Sequence, residues 1–227
     1  MRSSKTPEHM LRSVTALDPR AIGAGAVSAL THDWQRSLPT LQGNQAVLRE
    51  LRLSDAPSLF ALLAPQEVSR FISPPPASAE GFVRFIKWAR RQRAAGAHVC
   101  FAVTLSGFDT AIGLFQVRQL DPHFETAEWG FALGSAFWGT GVLGDSAERV
   151  LDVTFGTLGV RRLEARAAVL NGRGNGALVK IGAAREAVLR KSLVRDGHAL
   201  DQLLYAIVDS DRRTVTAPVR RAFIQTH

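Results

Sequence analysis

The feature that most constrains this chain is a cluster of glycines at a change of hydrophobic period. Glu128-Trp129-Gly130-Phe131-Ala132-Leu133 alternates and reads as a strand. Leu143, Ala147, Val150, Leu151, Thr154 and Phe155 then recur on one face of a helix. Between them lies Trp138-Gly139-Thr140-Gly141-Val142-Leu143-Gly144. Glycine permits a sharp turn and lets a ligand come close to the main chain. The first N–H groups of the helix carry partial positive charge into the same space. Residues 139–144 are therefore a candidate anion site, with a phosphate or pyrophosphate as the expected guest.

The same glycines spell G-x-G-x-x-G, the dinucleotide fingerprint. That reading needs an acidic residue at the end of the next strand, roughly 20 residues on, to hold a ribose. The next expected strand is Arg162–Ala168, and its one acid, Glu164, lies inside it. The motif also sits past the middle of the chain, with no β-α-β unit starting there. The dinucleotide fold is thus the weaker alternative, and a turn that only packs helix on strand is the bland one.

Composition narrows the partners. The net charge is +8, which favours an anionic partner. Arginines are dispersed along the chain and not interleaved with aromatics, so a nucleic-acid surface is disfavoured. Cys100 is the only cysteine, so no internal disulfide forms, and it reads as a small buried hydrophobe. No apolar run is long enough to span a bilayer. Arg2, Lys5 and Arg12 ahead of Ala21–Leu30 resemble a poor signal peptide, but Glu8, Asp18 and Pro19 interrupt them and glycines break the apolar part. A cytoplasmic protein is expected.

With 227 residues, one domain and an extension are expected. We divide the chain into an N-terminal extension, 1–43, a domain, 44–213, and a tail, 214–227. Trp34 is the candidate anchor of the extension. Val47–Leu53 reads as a strand, and Ser54-Asp55-Ala56-Pro57 starts a helix reaching Leu63. Pro74, Pro75 and Pro76 make a stiff loop. Ser78 caps a helix with Phe82, Phe85, Ile86 and Ala89 on one face. Strands follow at 99–105, 111–120 and 126–133, then the glycine turn, its helix, and the strand 162–168. A second glycine-rich connection, 171–176, leads to a short helix, 177–181. Strands at 186–194 and 203–208, joined by a turn at 195–198, and a loosely held tail from Ser210 complete the reading. The order β-α-α-β-β-β-α-β-α-β-β gives an α/β (α+β) fold: a mixed, mostly antiparallel twisted sheet flanked by helices, with one β-α-β crossover at the glycines.

From Val47 to Arg213 the chain resembles the GNAT superfamily of acyl-CoA-dependent N-acetyltransferases, and within it the RimJ/RimL-like branch. Leu48-Arg49-Glu50-Leu51-Arg52-Leu53-Ser54-Asp55-Ala56 is similar to the family's opening motif. Glu128–Leu133 followed by Trp138-Gly139-Thr140-Gly141 resembles "E-x-G-Y-x-L … W-G-x-G". Asn171 with Leu178-Val179-Lys180-Ile181-Gly182, and Glu186–Arg190 with Asp196-Gly197 and Asp201, resemble the closing motifs.

The resemblance implies a central acyl-CoA-binding unit and acetyl-CoA as co-substrate, with no metal. It implies that Gly139, Thr140, Gly141, Val142, Leu143 and Gly144 grip the pyrophosphate. Phe131, Ala132 and Leu133 then pair with the pantetheine arm, and Asn171 takes the place of a CoA-contacting asparagine. The implied reaction is acetyl transfer to a primary amine, a protein N-terminal amine among the candidates, by direct attack on the thioester.

Glu128 is the candidate base, on the face of Gly130 and Ala132, with a structural carboxylate as the alternative. A strand bulge near Phe131 is expected to give the oxyanion an N–H donor. His123 and Glu125 are lesser base candidates. Phe71, Ile72, Pro74–Pro76, Phe82 and Trp88 are expected to line the acceptor pocket, with ordinary core the stronger reading for Phe82. The acceptor is then a small-molecule or peptide amine, and the protein a monomer or homodimer.

The chain departs from the family at Gly174, where a serine is usual, at Leu143, in the place of a small residue, and at Ala183, in the place of an aromatic. Gly174, Leu143 and the open assignment of the base motivate a second reading, a GNAT-shaped module that holds CoA or a partner without efficient transfer.

Overall fold

The computed structural model describes residues 33–195 and 197–216. Ala21–Leu30, the residues beyond 216, and Asp196 of the expected turn lie outside the described residues. The strands are β1 (Leu41–Gln42), β2 (Ala46–Glu50), β3 (His98–Leu105), β4 (Gly113–Gln119), β5 (Thr126–Leu133), β6 (Arg162–Ala168), β7 (Ala184–Arg195) and β8 (His198–Val208). The helices are α1 (Ala56–Leu63), α2 (Gln66–Ser69), α3 (Ala79–Ala94), α4 (Val142–Gly156), α5 (Gly172–Lys180) and α6 (Asp209–Thr216).

The strands form one sheet in the order β1-β2-β3-β4-β5-β6-β8-β7. Every neighbouring pair is antiparallel except β5 and β6. Hairpins join β3 to β4 to β5, while α4 carries the chain over to a parallel β6. A single parallel pair is not a doubly wound sheet, which removes the dinucleotide fold suggested by the glycines.

Helices cover both faces. Phe101, Phe115, Trp129 and Leu133 pack with Val142, Ala147, Val150 and Leu151 of α4. On the other face, Cys100, Ala102 and Leu114 meet Leu59 and Leu63 of α1 and Phe82 and Ile86 of α3. β3 is therefore buried along nearly its whole length, which is why it reads as a continuous apolar run. The edge strand β7 is mostly exposed; two register shifts and the charges of Arg185, Glu186, Arg190 and Lys191 blunt its edge.

Local chemistry sets the element ends. Ser78 Oγ accepts the Gly81 N–H at 3.1 Å and starts α3, as expected. The first full strand stops at Glu50, short of Leu53. Asp55 accepts the Arg52 N–H at 2.7 Å and turns Leu53–Asp55 into a 3₁₀ turn. Asp55 is also held by Arg49, at 2.9 and 2.8 Å. α5 begins at Gly172, not at Ala177, because Asn171 Oδ1 accepts the Gly174 N–H at 2.9 Å and caps a helix through the glycines. The chain from Asp209 forms α6, and Arg212 bonds Glu148 at 3.3 Å and Asp152 at 2.6 Å on α4.

Asp145, in the first turn of α4, fastens the opposite end of the sheet to the glycine turn. Its carboxylate accepts the N–H groups of Asn44, Gln45 and Ala46 at 2.9, 2.8 and 3.0 Å. Partial burial pushes its pKa up, but these three donors outweigh that and hold it below the usual carboxylate range. Gly43 leaves the room: a Cβ there would lie 2.4 Å from Asp145 Oδ2. Further upstream, Trp34 packs edge-on against Phe124, with centroids 5.6 Å apart.

Candidate functional site

β5 and β6 pair at only three positions, Thr126↔Arg162, Ala127↔Leu163 and Glu128↔Glu164. Both strands continue, to Leu133 and Ala168, so they part after Glu128 and leave a wedge-shaped slot. The direction of the freed groups follows from the ladder with β4. The Gly134 N–H bonds Ile112 O, and the Leu120 N–H bonds Thr126 O. These two bonds bracket the β4–β5 pair and assign the even-numbered residues of β5 to β4. Trp129, Phe131 and Leu133 thus turn their N–H and C=O groups toward the slot. Leu133 O is met by Trp138 Nε1 at 3.0 Å. The β4–β5 register runs unbroken from Gly113↔Leu133 to Gln119↔Ala127. The expected bulge is therefore absent, and the parting of β5 from β6 exposes the Phe131 N–H instead.

The glycine turn follows directly on this strand. Gly139 and Gly141 have φ of 75° and 94°, the left-handed region that side chains resist. A Cβ at Gly139 or Gly144 would meet nothing within 4 Å. The helix ladder of α4 begins with Asp145 N–H to Gly141 O at 3.1 Å. The N–H groups of Val142, Leu143 and Gly144 thus have no intrahelical acceptor. The Asp145 carboxylate is turned to the N–H groups of residues 44–46 and does not accept from these three.

Two cavities meet at the slot. One, of about 440 Å³, is lined by Leu133, Trp138, Leu143, Arg173 and Ala177 among others. The second, of about 760 Å³, is lined on one side by Phe71, Ile72, Pro74–Pro76, Phe82 and Trp88, the set expected from the sequence, joined by Phe85. Phe82 contributes an edge only, being 1% exposed in the core. Phe131, Ala132, Asn171 and Gly174 border both cavities. The even-numbered residues of β4 and β5, Gln116, Arg118, Glu128 and Gly130, form the polar floor of the larger one.

Glu128 is the only acidic residue among those lining the larger cavity. Its carboxylate contacts Arg118 on β4 and lies 3.7 Å from Arg166 on β6. Arg166 is 3.9 Å from Glu164, which pairs at 2.9 Å with Arg162. Arg162 also bonds Glu186 at 3.0 Å, so a row of alternating charge crosses β4, β5, β6 and β7. Hydrogen bonds to Glu186 and Glu164 raise the pKa of Arg162. His123 and Glu125 are exposed in the loop before β5 and border neither cavity, so the fold does not bring them to the site.

Gly174 lies close against the Asn171 side chain. A Cβ there would lie 2.4 Å from Asn171 Nδ2 and 2.9 Å from its Cγ. A serine at 174 would oblige the Asn171 amide to turn from its present rotamer. Ala183 is buried. Leu143 borders the smaller cavity and is partly buried against the core.

Several site residues escape sequence reasoning. Arg173 stacks over Trp138 with its guanidinium carbon 3.9 Å from the ring centroid, and only the folded chain brings the two together. Gln116 and Arg118 had a readable signal, since they alternate with apolar residues in a central strand. Among the described residues, no group of His, Cys, Asp or Glu is placed to hold a metal. None of the described helices is long and apolar enough to cross a membrane.

Residues 45–184 match the family described as acetyltransferase (GNAT) domain. Over 172 residues the chain is 23% identical to the uncharacterized N-acetyltransferase p20 of Bacillus licheniformis, covering 75% of this chain and 97% of p20. Over 171 residues it is 25% identical to the uncharacterized N-acetyltransferase YoaA of Bacillus subtilis, again covering 75% and 97%. Its fold resembles that of Mycobacterium smegmatis RimJ in complex with CoA-disulfide, with a TM-score of 0.69, 19% identity, and 79% and 90% of the two chains covered. The parted strands, the glycine turn and this match together assign the chain to the GNAT family, as an N-acetyltransferase of the GNAT type.

Proposed function

We propose that this protein transfers the acetyl group of acetyl-CoA to a primary amine, in the manner of the RimJ/RimL-like branch, with a peptide N-terminal amine among its acceptors. The observation that carries the reading is the slot between β5 and β6 leading onto the unpaired N–H groups of α4. The space fits the cofactor. The main chain at 139–144 is open where a pyrophosphate would lie, and the freed groups of Phe131 suit an amide-bearing arm. Leu133 and the Ala132 side chain border that arm, and Asn171 Nδ2 and Arg173 flank its course.

Acetyl-CoA supplies an activated thioester carbonyl. The chain's own residues then bind, orient and move a proton. The Phe131 N–H donates to the carbonyl oxygen as negative charge gathers there. Glu128 takes the proton that the attacking amine must lose. The two arginines hold its carboxylate against the floor of the cavity. Gly174 offers no hydroxyl to the departing sulfur, so its proton comes from solvent or from Glu128. Net positive charge on the floor, Arg118 and Arg166 against Glu128, disfavours a polycationic acceptor. A cytoplasmic setting and a monomer or homodimer belong to the same reading.

The test is thermal unfolding with acetyl-CoA, NAD or ATP, followed by thiol release in the presence of amines. Binding to the folded state raises the midpoint by mass action. A shift with acetyl-CoA alone is the expected result; no shift with it overturns the reading. The second reading, a module that binds CoA without efficient transfer, is motivated by Gly174. Amine-dependent thiol release above the uncatalysed rate, lost in Glu128→Gln, excludes it.

A further inference from the structure

Gln116, on the floor of the larger cavity, is paired behind that floor with a buried histidine, and neither the proton transfer nor the cofactor slot uses the pair. His98, at the start of β3, is 3% exposed. Its ring lies against Trp88, with centroids 5.0 Å apart. Its Nε2 is 3.3 Å from Gln116 Oε1, while Nδ1 is buried with no hydrogen-bond partner. A neutral imidazole has one donor and one acceptor. A proton on Nδ1 would bury an unsatisfied donor and set two acceptors against each other at Nε2. A proton on Nε2 makes the bond to Gln116 and leaves only a bare acceptor. Burial lowers the pKa of His98 to about 4, against the opposing Gln116 bond and with help from the Arg118 charge, so the ring stays neutral.

With Oε1 occupied, the Gln116 amide has one orientation. Its NH₂ end lies over Gly130, where a Cβ would stand 3.5 Å from Nε2. Gly130 has no side chain, so these donors open onto the cavity. Gln116 is paired with Gly130, two residues along β5 from Glu128, a separation of about 7 Å. A short molecule making a hydrogen bond of about 2.9 Å at each end spans that gap.

We propose that Gln116 recognises the acceptor by donating to a carbonyl or carboxylate oxygen on the carbon beside the amine, and that His98 is the positioning residue that holds the amide this way round. The proposal rests on the transfer to an amine argued above. It names the acceptor class as α-amino carbonyl compounds, whether a free amino acid or the first residue of a peptide. Arg118 and Arg166 favour the same oxygen-bearing acceptors over simple amines.

The test compares kcat/KM, per neutral amine, for L-alaninamide and for 3-methylbutan-2-amine, which has the same branched skeleton and no oxygen. Free alanine and the tripeptide Ala-Gly-Gly are run beside them. The expected wild-type preference for alaninamide is at least about tenfold, the worth of one or two directed hydrogen bonds. Gln116→Leu brings the ratio to within about twofold of unity on the same basis. His98→Phe keeps a ring on Trp88 but loses the donor, and lowers the ratio; His98→Gln regains a donor and restores it. A merely structural role would depress both amines alike and leave the ratio unchanged, which would overturn the part given to His98. A leading rate for Ala-Gly-Gly marks the acceptor as a chain end, and one for alanine marks a free amino acid; either supports the proposal. Equal use of both amines by the wild type overturns the proposal and leaves the acetyl transfer standing. No transfer to any of the four overturns both.

Discussion

Glu128 and Glu164 face each other on the last rung that β5 and β6 share, and Arg166 lies 3.7 Å from one and 3.9 Å from the other. Like charges opposed across a ladder repel. The point where the sheet opens is therefore held together by a cation. Arg166→Leu is expected to destabilise the fold by about 1 kcal/mol, less at high salt. Adding Glu164→Gln should recover at least half of the loss. Urea unfolding of the two variants at low and high salt checks this, and additive losses in the double variant would refute the arrangement.

Glu128→Gln keeps the shape of the side chain and removes its charge. Steady-state kinetics should show kcat lowered by about 10² to 10⁴, with the KM for acetyl-CoA little changed. A variant with wild-type kcat would return Glu128 to a structural part.

Gly144 is the cleaner place to test the anion site. Gly141 has φ of 94° and Gln45 Nε2 3.0 Å from a would-be Cβ, so any side chain there strains the turn. At Gly144 a Cβ meets nothing within 4 Å, and no left-handed backbone is involved. Gly144→Asp should leave the melting temperature nearly unchanged and weaken CoA binding by about tenfold or more, through charge repulsion at the helix start. Titration calorimetry with CoA measures it, and unchanged affinity would move the pyrophosphate elsewhere.

His98 makes stability depend on pH. Its pKa falls from 6.5 to about 4 on folding. Between these values the unfolded chain binds a proton that the native protein does not. The contribution is complete above pH 6.5 and is lost as the pH falls to about 4, a span worth roughly 3 kcal/mol. Denaturant unfolding at pH 7 and pH 4.5 should show a smaller loss in His98→Gln than in the wild type. Equal losses would mean that His98 is protonated in the native protein.

Much of the architecture was legible from periodicity. Thr126–Leu133 and Arg162–Ala168 emerge with the bounds that alternation predicts. The wall of the larger cavity was anticipated through the family resemblance, which implied a pocket at Phe71, Ile72 and Pro74–Pro76, and these residues do line it. What escaped depends on register or on contacts between distant segments. The slot exists because pairing stops at Glu128, and no residue type announces that. Asp145 reads as an ordinary helix-start acid, yet its partners lie about a hundred positions away. Glycines at 172, 174 and 176 read as a loop, because one side chain, Asn171, decides that they form a helix. Arg166 was lost among the many other basic residues of the chain.

Asn171 and Gly174 are consequently not two independent positions. With the asparagine oxygen capping α5, its Nδ2 stands 2.4 Å from the place a Cβ at 174 would take, so any side chain there obliges the amide to turn. The amide is the free end of a flexible side chain, and it can give way. What Gly174→Ser does to the start of α5 is therefore decided by where the Asn171 amide comes to rest. A single substitution at one position is in effect a conformational choice at another, three residues upstream.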